Sequence, residues 1–246
     1  MSLLTQLTAG LTQYQDISCD KNIKDTDPVD IAVIIPVHGR TDYNRPVCDY
    51  FYRSVLFLKK QSNFEFKISI TIVEHSDFPQ HKDICRPFVN YIHIPLNGGR
   101  FNKCLCHNIG AIAMQKANFF LFHDIDIIVP ANYFIALMDN LFRKNEERGY
   151  DALQTFTTRR LLLCNEVLTQ SVLNDSHIVN DFSLSNKNVS PAKPGAAGGS
   201  IIINKSAVIK VGGWNDIFFT EYSLEDQFFF DKMELLIQVG FANKPP

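Results

Sequence analysis

The chain lacks the features that would place it in the simplest functional classes. There is no surplus of positive charge: 24 Lys and Arg stand against 26 Asp and Glu, for a formal charge of −2. Net electrostatics therefore draw neither nucleic acid nor an anionic membrane to it. The amino end, MSLLTQLTAGLTQYQDISCD, has no basic leader and no long apolar run, so neither a signal peptide nor an integral membrane segment is expected. The six cysteines (Cys19, Cys48, Cys85, Cys104, Cys106 and Cys164) include no CxxC pair and no dense framework. This argues against a disulfide scaffold and against a zinc finger, and reduced thiols point to the cytoplasm. There is no internal repeat, no low-complexity segment and no HExxH.

What remains is a chain of 246 residues, 46% hydrophobic and 20% charged, long enough for a substantial α/β core. Residues 1–28 are polar and rich in turn formers, and read as an amino-terminal extension; residues 29–246 read as one domain. VDIAVIIP opens that domain with a continuous apolar strand, Ile31 to Ile35, which Pro36 is expected to stop. A helix follows from about Arg45 to Lys60, with Val47, Phe51, Val55 and Leu58 on one face. FKISITIVE and FVNYIHIP read as strands, FNKCLCHNIGAIAMQKA as a helix, and NFFLFHD as a further strand. Strands alternating with helices predict a mixed, mostly parallel central sheet flanked by helices.

The second half is less regular. DALQTFTTRR is expected to be a strand, RLLLCNEVLTQSVL a helix, NDFSLSNKNVSPAKPGAAGG a mobile loop, and SIIIN another buried strand. SAVIKVGGWND then leads through a loop into a helix containing LEDQFFF.

In parallel sheets, ligands gather beyond the carboxyl ends of the strands. His38 to Arg40, Glu74, Asn97 to Arg100 and Asp124 to Asp126 all follow expected strand ends, which predicts one polar rim. LFHDIDIIVP poses the sharpest question, because Asp124 and Asp126 interrupt an apolar run and an unpaired buried carboxylate is costly. Either the strand ends at His123 and the acids emerge beyond it, or a positive group lies beside them. A D-x-D pair there could hold Mn²⁺ or Mg²⁺ and the phosphates bound to it; the same acids could equally be turn or helix-cap residues. GGWNDIFFTEYSLEDQFFF adds Glu225 and Asp226 at an expected helix start, where the helix dipole alone would favour acids. Such a pair could also hold a sugar hydroxyl and take its proton. Trp214 has the makings of either a sugar-stacking platform or a core residue. His93 reads as a packed residue, and His75, His81, His107 and His177 have no partner spacing.

In order and spacing, IAVIIPVHGR, FNKCLCHNIGAIA, FHDIDIIVP, GGS at 198–200 and GGWND with LEDQF resemble the GT-A fold nucleotide-sugar glycosyltransferases. The motif order resembles most the β-1,4-galactosyltransferase family and the related galactosaminyltransferase modules of bacterial capsule polymerases. The resemblance implies an inverting transferase that moves a hexose or N-acetylhexosamine, galactose-type favoured, from a UDP-sugar to a carbohydrate hydroxyl with Mn²⁺ or Mg²⁺. It implies that Pro36, His38, Arg40, Glu74, Phe101, Lys103, Asp124 and Gly199 serve the donor, with Asp126 and Asp124 at the metal. Trp214, Tyr222 and Glu225 would serve the acceptor, and Asp226 would be the general base beside Glu225. Tyr222 stands where the family has an acceptor-stacking Trp, and Lys103 where it has Arg. The family's further metal ligand is a His beyond the acid pair, with no counterpart after Asp226. The alternatives are a domain short at its carboxyl end, a substitute ligand such as His123, or weak or absent metal binding. A non-catalytic sugar- or nucleotide-sugar-binding protein, and a glycoside hydrolase, are the rival classes.

Overall fold

The computed structural model describes residues 20–22, 28–61, 67–139, 155–157, 162–174, 187–191, 199–216 and 225–241. Among them lies a seven-stranded sheet. Its strands are β1 (Asp20–Asn22), β2 (Ile31–Val37), β3 (Ile68–Ser76), β4 (Val89–Pro95), β5 (Phe119–His123), β6 (Thr155–Thr157) and β9 (Ser200–Asn204). The spatial order is β1-β4-β3-β2-β5-β9-β6. The four central strands run parallel, while β1, β9 and β6 attach antiparallel to their neighbours. The chain is thus an α/β protein with a mixed sheet whose centre is parallel, as the alternation of elements implied. β1 belongs to the stretch read as an extension, and residues 20–22 pair with Tyr91 to His93.

Helices cover both faces, which is why β2 is buried at every position. One face receives α1 (Thr41–Gln61), whose Val47, Phe51, Val55 and Leu58 meet Ile31, Val33 and Ile35. The other receives α2 (Lys103–Ala113), α4 (Lys205–Lys210) and α5 (Glu225–Phe241), which pack with Ile34, Phe120, Phe122 and Trp214. Among the described residues no helix is long and apolar enough to cross a membrane. The five described cysteines are free thiols.

Two local expectations are corrected. Pro36 does not stop β2, which continues to Val37. The ladder to β5 has already ended at Ile34, so at Pro36 the strand is paired only with β3 and the missing N–H interrupts nothing. RLLLCNEVLTQSVL is not one helix. Leu162–Cys164 form β7, paired with β8 (Val189–Pro191), and α3 (Glu166–Asn174) starts only after Asn165. The Asn165 side chain accepts the Leu168 N–H at 3.0 Å, a cap that fixes the boundary. Most of the expected loop at 180–199 lies outside the described residues, apart from β8 and its flanks.

β2, β3 and β4 follow one another outward, and the chain then returns to lay β5 on the opposite side of β2. This reversal leaves a crevice between the carboxyl ends of β2 and β5, the place where open α/β sheets bind ligands. Gly110 sets how closely α2 approaches that region. A Cβ there would lie 2.4 Å from Ile34 Cγ2 and 3.2 Å from Val73 Cγ2. Gly110→Ala is therefore expected to destabilise the fold by about 1–3 kcal/mol through overpacking, read as a lower urea midpoint. An unchanged midpoint would show that α2 can retreat from β2.

Candidate active site

The crevice is lined first by the turn after β2. Gly39 and Arg40 both have positive φ, +60° and +52°. Burial holds His81 below its usual pKa, with the Gly39 bond and Glu74 opposing it, so the ring is neutral. Its Nε2 donates to the Gly39 carbonyl at 2.7 Å, and its Nδ1 accepts from the Asn44 side chain at 2.9 Å. His38 donates from Nδ1 to the His75 carbonyl at 2.8 Å, and its ring stacks on Phe101 with centroids 5.5 Å apart. His38, exposed, and Phe101, half-buried, thus form one aromatic edge of the crevice.

The opposite wall begins where β5 ends at His123. The Asp124 N–H donates to the Gly199 carbonyl at 2.7 Å, and the Asp124 carbonyl accepts from Ile127 N–H at 3.2 Å, so a tight turn follows the strand. Gly199, with φ +80°, supports this turn through its backbone. His123 is no metal ligand. Its Nδ1 meets Ser200 Oγ at 2.8 Å, its Nε2 meets the Ile127 carbonyl at 2.9 Å, and burial lowers its pKa to about 4. Both nitrogens are used to hold the turn that presents the acids.

Both answers to the question posed by LFHDIDIIVP are realised: the strand ends before the acids, and positive groups lie beside them. Lys103 Nζ is 2.9 Å from Asp124 Oδ1, 3.4 Å from both carboxylate oxygens of Asp226 and 3.6 Å from Glu225 Oε1. Asp126 instead pairs with Arg40. The acids at 124 and at 225–226, about a hundred residues apart in sequence, therefore face one another across a single ammonium. Lys103 is only 12% exposed in its side chain. Burial alone would lower its pKa, but Asp124, Asp226 and Glu225 outweigh that and raise it well above the usual lysine value. Asp226 is raised to about 6: burial pushes it up, Asp124 and Glu225 add to the effect, and Lys103 only partly opposes them.

Two asparagines that sequence reasoning passed over hold the constellation together. Asn102 caps α2 by accepting Leu105 N–H at 2.8 Å, and its amide donates to the Asp216 carbonyl at 2.7 Å. Asn108 accepts Trp214 N–H and donates to the Trp214 carbonyl, each at 2.9 Å. The helix that carries Lys103 is thereby tied to the segment preceding α5, which carries Glu225 and Asp226. An Asn immediately before a helical pattern was a readable cap signal for Asn102. Asn108 gave none, because a buried clamp depends on a partner 106 residues away.

Two expected site residues are corrected. Trp214 is 2% exposed and stacks on Phe229 with centroids 4.1 Å apart, so it is a core residue and no platform for a sugar. Glu74 is fully buried and does not reach the rim. Its carboxylate accepts from Ser76 Oγ at 2.6 Å, from the Gln80 and His81 N–H groups at 3.0 Å each, and from the Tyr91 hydroxyl. Burial raises its pKa, but these bonds outweigh it and leave the carboxyl below its ordinary value. Pro36 is buried within β2, one residue short of the rim. LNGGR forms a turn, with Asn97 at φ +50° and Gly98 at +74°. Tyr222 lies outside the described residues.

Glu74→Gln should lower stability at neutral pH by about 1.5–3 kcal/mol, since the charged acceptor is lost where four donors converge. Because the folded pKa is depressed, the contribution is present above the ordinary carboxyl range and fades as pH falls through the folded value. The difference in melting temperature between Glu74→Gln and the parent should thus shrink in acid. Lys103→Met should cost about 3 kcal/mol at pH 7.5, because it removes the buried cation that Asp124, Asp226 and Glu225 share. Asp226 has the opposite sign: with its folded pKa raised, it favours the fold below about pH 4 and loses that contribution as pH rises through 6. The Lys103→Met deficit should accordingly narrow at pH 5 in guanidinium unfolding. An equal deficit at both pH values would point to lost packing of the lysine stem.

The sequence matches no protein-family model and no curated protein. Among solved structures, the chain is similar in shape to a mannosyltransferase from Pyrobaculum calidifontis in complex with GDP-Man and Mn²⁺. The TM-score is 0.47 and the identity 13%, over 94% of this chain and 62% of that one. It is also similar to a 4-diphosphocytidyl-2C-methyl-D-erythritol synthase from Anaerococcus prevotii, with TM-score 0.41 and 13% identity over 85% of each chain. The chain thus spans under two thirds of the mannosyltransferase it aligns with, and the α/β assignment stands on strand order and register alone.

Proposed function

We propose that the chain is an inverting nucleotide-sugar transferase of the GT-A type. It moves a hexose or N-acetylhexosamine, galactose-type favoured, from a UDP-sugar to a carbohydrate hydroxyl. The observation that carries this reading is the convergence of Asp124, Glu225 and Asp226 on Lys103 at the crevice between β2 and β5. One acid group then lies on the donor side and the other on the acceptor side of a single site.

A divalent cation fits this chemistry. Among the described residues, the carboxylates of Asp124, Asp126, Glu225 and Asp226 gather around the cationic side chains of Lys103 and Arg40, so acids outnumber cations in these pairings. A diphosphate entering such a site is repelled unless positive charge comes with it. Asp126, 41% exposed, and Asp124 behind it are hard oxygen donors suited to Mn²⁺ or Mg²⁺. Among the described residues no group of three or more His, Cys, Asp or Glu could hold the ion by itself. Waters and substrate phosphates would complete its coordination, as is usual for Mg²⁺. When bound, such an ion neutralises charge on the departing diphosphate.

The chain's own residues supply the rest. His38 and Phe101 offer a stacking edge for a base. Lys103 holds Asp124 and Asp226 in fixed relation. Asp226 takes the proton of the acceptor hydroxyl as its oxygen bonds to the anomeric carbon, and the bond to the diphosphate breaks on the opposite face. A carboxylate whose pKa is raised to about 6 is a better base than an ordinary one and is still ionised at neutral pH.

A panel of UDP-sugars with and without Mn²⁺, read by UDP release, tests the reading: one donor should turn over and depend on the metal. Asp226→Asn should keep UDP affinity and lose about 10² to 10⁴ in turnover. In the parent, kcat/KM should rise with pH through about 6 and then level, as the base loses its proton. UDP binding without transfer to any carbohydrate would favour a binding protein, and sugar release without UDP binding a hydrolase.

A further inference from the structure

The two acids of the DID turn are held by cations of very different character. Asp124 is fixed to Lys103, a side chain 12% exposed and shared with Glu225 and Asp226. Asp126 pairs with Arg40, and both partners are open to solvent, the arginine at 55% and the aspartate at 41%. An exposed pair of this kind is weak and screened by salt, whereas the Lys103 cluster cannot open without stranding buried charge. Only one of the two carboxylates can therefore change partner easily.

Arg40 is also aimed. Its backbone lies in the left-handed region at φ +52°, which a residue with a side chain adopts only when its surroundings hold it there. Those surroundings are visible: His81 fixes the Gly39 carbonyl, and the Arg40 carbonyl accepts the Tyr43 N–H at 3.1 Å as α1 begins. The turn after β2 thus directs the guanidinium across the crevice, onto the turn after β5. A guanidinium fork suits a carboxylate and a phosphate equally well.

We propose that Arg40 stands in for the divalent cation on Asp126 when no nucleotide is present, and passes to the diphosphate when the cation takes that carboxylate. This rests on the metal and nucleotide reading given above. Metal and nucleotide then favour each other's binding through one side chain. The cation alone must displace Arg40 with nothing to receive it, and the diphosphate alone must draw Arg40 from Asp126 and meet a bare carboxylate. Linkage requires the two effects to be equal: whatever UDP does for Mn²⁺ affinity, Mn²⁺ does for UDP affinity.

The test measures Mn²⁺ binding directly, from the paramagnetic resonance signal of the free ion, with and without UDP, in the parent, Arg40→Gln, Arg40→Lys and Asp126→Asn. Without UDP, Arg40→Gln should bind Mn²⁺ about two- to fivefold more tightly than the parent. UDP should raise Mn²⁺ affinity less in Arg40→Gln than in the parent, and Arg40→Lys should fall between them. Asp126→Asn should bind Mn²⁺ much more weakly under either condition. If Arg40→Gln matches the parent without UDP while Asp126→Asn loses the ion, the exchange proposed for Arg40 is wrong and the metal reading stands. If Asp126→Asn binds Mn²⁺ like the parent, the metal reading fails and the exchange fails with it.

Discussion

One ammonium among three carboxylates is the constraint on which the site depends. At the distances from Lys103 to Asp124, Asp226 and Glu225, each attraction amounts to about 4–6 kcal/mol at an effective dielectric constant near 20. Bringing a lysine to 12% exposure costs several kcal/mol in return, so a single partner would leave little net gain. Three partners hold the lysine charged, but one lysine cannot hold three carboxylates equally. Asp124 is closest, and at Asp226 the attraction of Lys103 does not offset burial and the neighbouring Asp124 and Glu225, so its carboxyl is raised. The raised carboxyl of Asp226 therefore comes first from burial, and the crowding of acids around Lys103 adds to it.

That crowding holds only if two remote segments are kept in register. Lys103 is the first residue of α2 and Glu225 the first of α5. The tie between them is made by neutral amides. Asn102 at the cap of α2 and Asn108 within it each bond to backbone in the 214–216 stretch. Backbone partners make these clamps insensitive to pH, unlike the acids they position. Behind them, Trp214 lies flat on Phe229 of α5 and edge-on to Phe122 of β5, so one aromatic stack links both acid-bearing elements to the core. The residue that looked like a sugar platform instead joins β5 to α5 within the core.

The elements that could be read from sequence are those whose signal is local. β2 and β5 are unbroken apolar runs, α1 has its helical stripe, and the exit of the acids from β5 follows from the cost of burying them unpaired. The misreadings have a shared cause, namely partners supplied by distant chain. Glu74 looks like a rim acid because it follows a strand pattern, yet β3 runs two residues further, and Tyr91 from β4 with the 80–81 backbone encloses it. Pro36 looks like a stop because the width of the β2–β5 ladder is invisible in sequence. Leu162 to Cys164 look helical beside α3 because their strand partner lies at 189–191. His123 looks available for a metal because Ser200, which occupies one of its nitrogens, is 77 residues away.

The choice of lysine over arginine at position 103 is explained by the same geometry. An arginine presents a planar fork that matches one carboxylate in two parallel bonds, and it would satisfy Asp124 at the expense of the other two. The lysine ammonium is a compact charge with three donors spread in space, and the acids reach it from separate parts of the fold, the turn after β5 and the start of α5. At the rim the demand is reversed. Asp126 is a single exposed carboxylate, and the residue facing it is an arginine. The buried cation shared by several acids is a lysine and the exposed cation paired with one is an arginine, so each position carries the side chain whose donor geometry fits its partners.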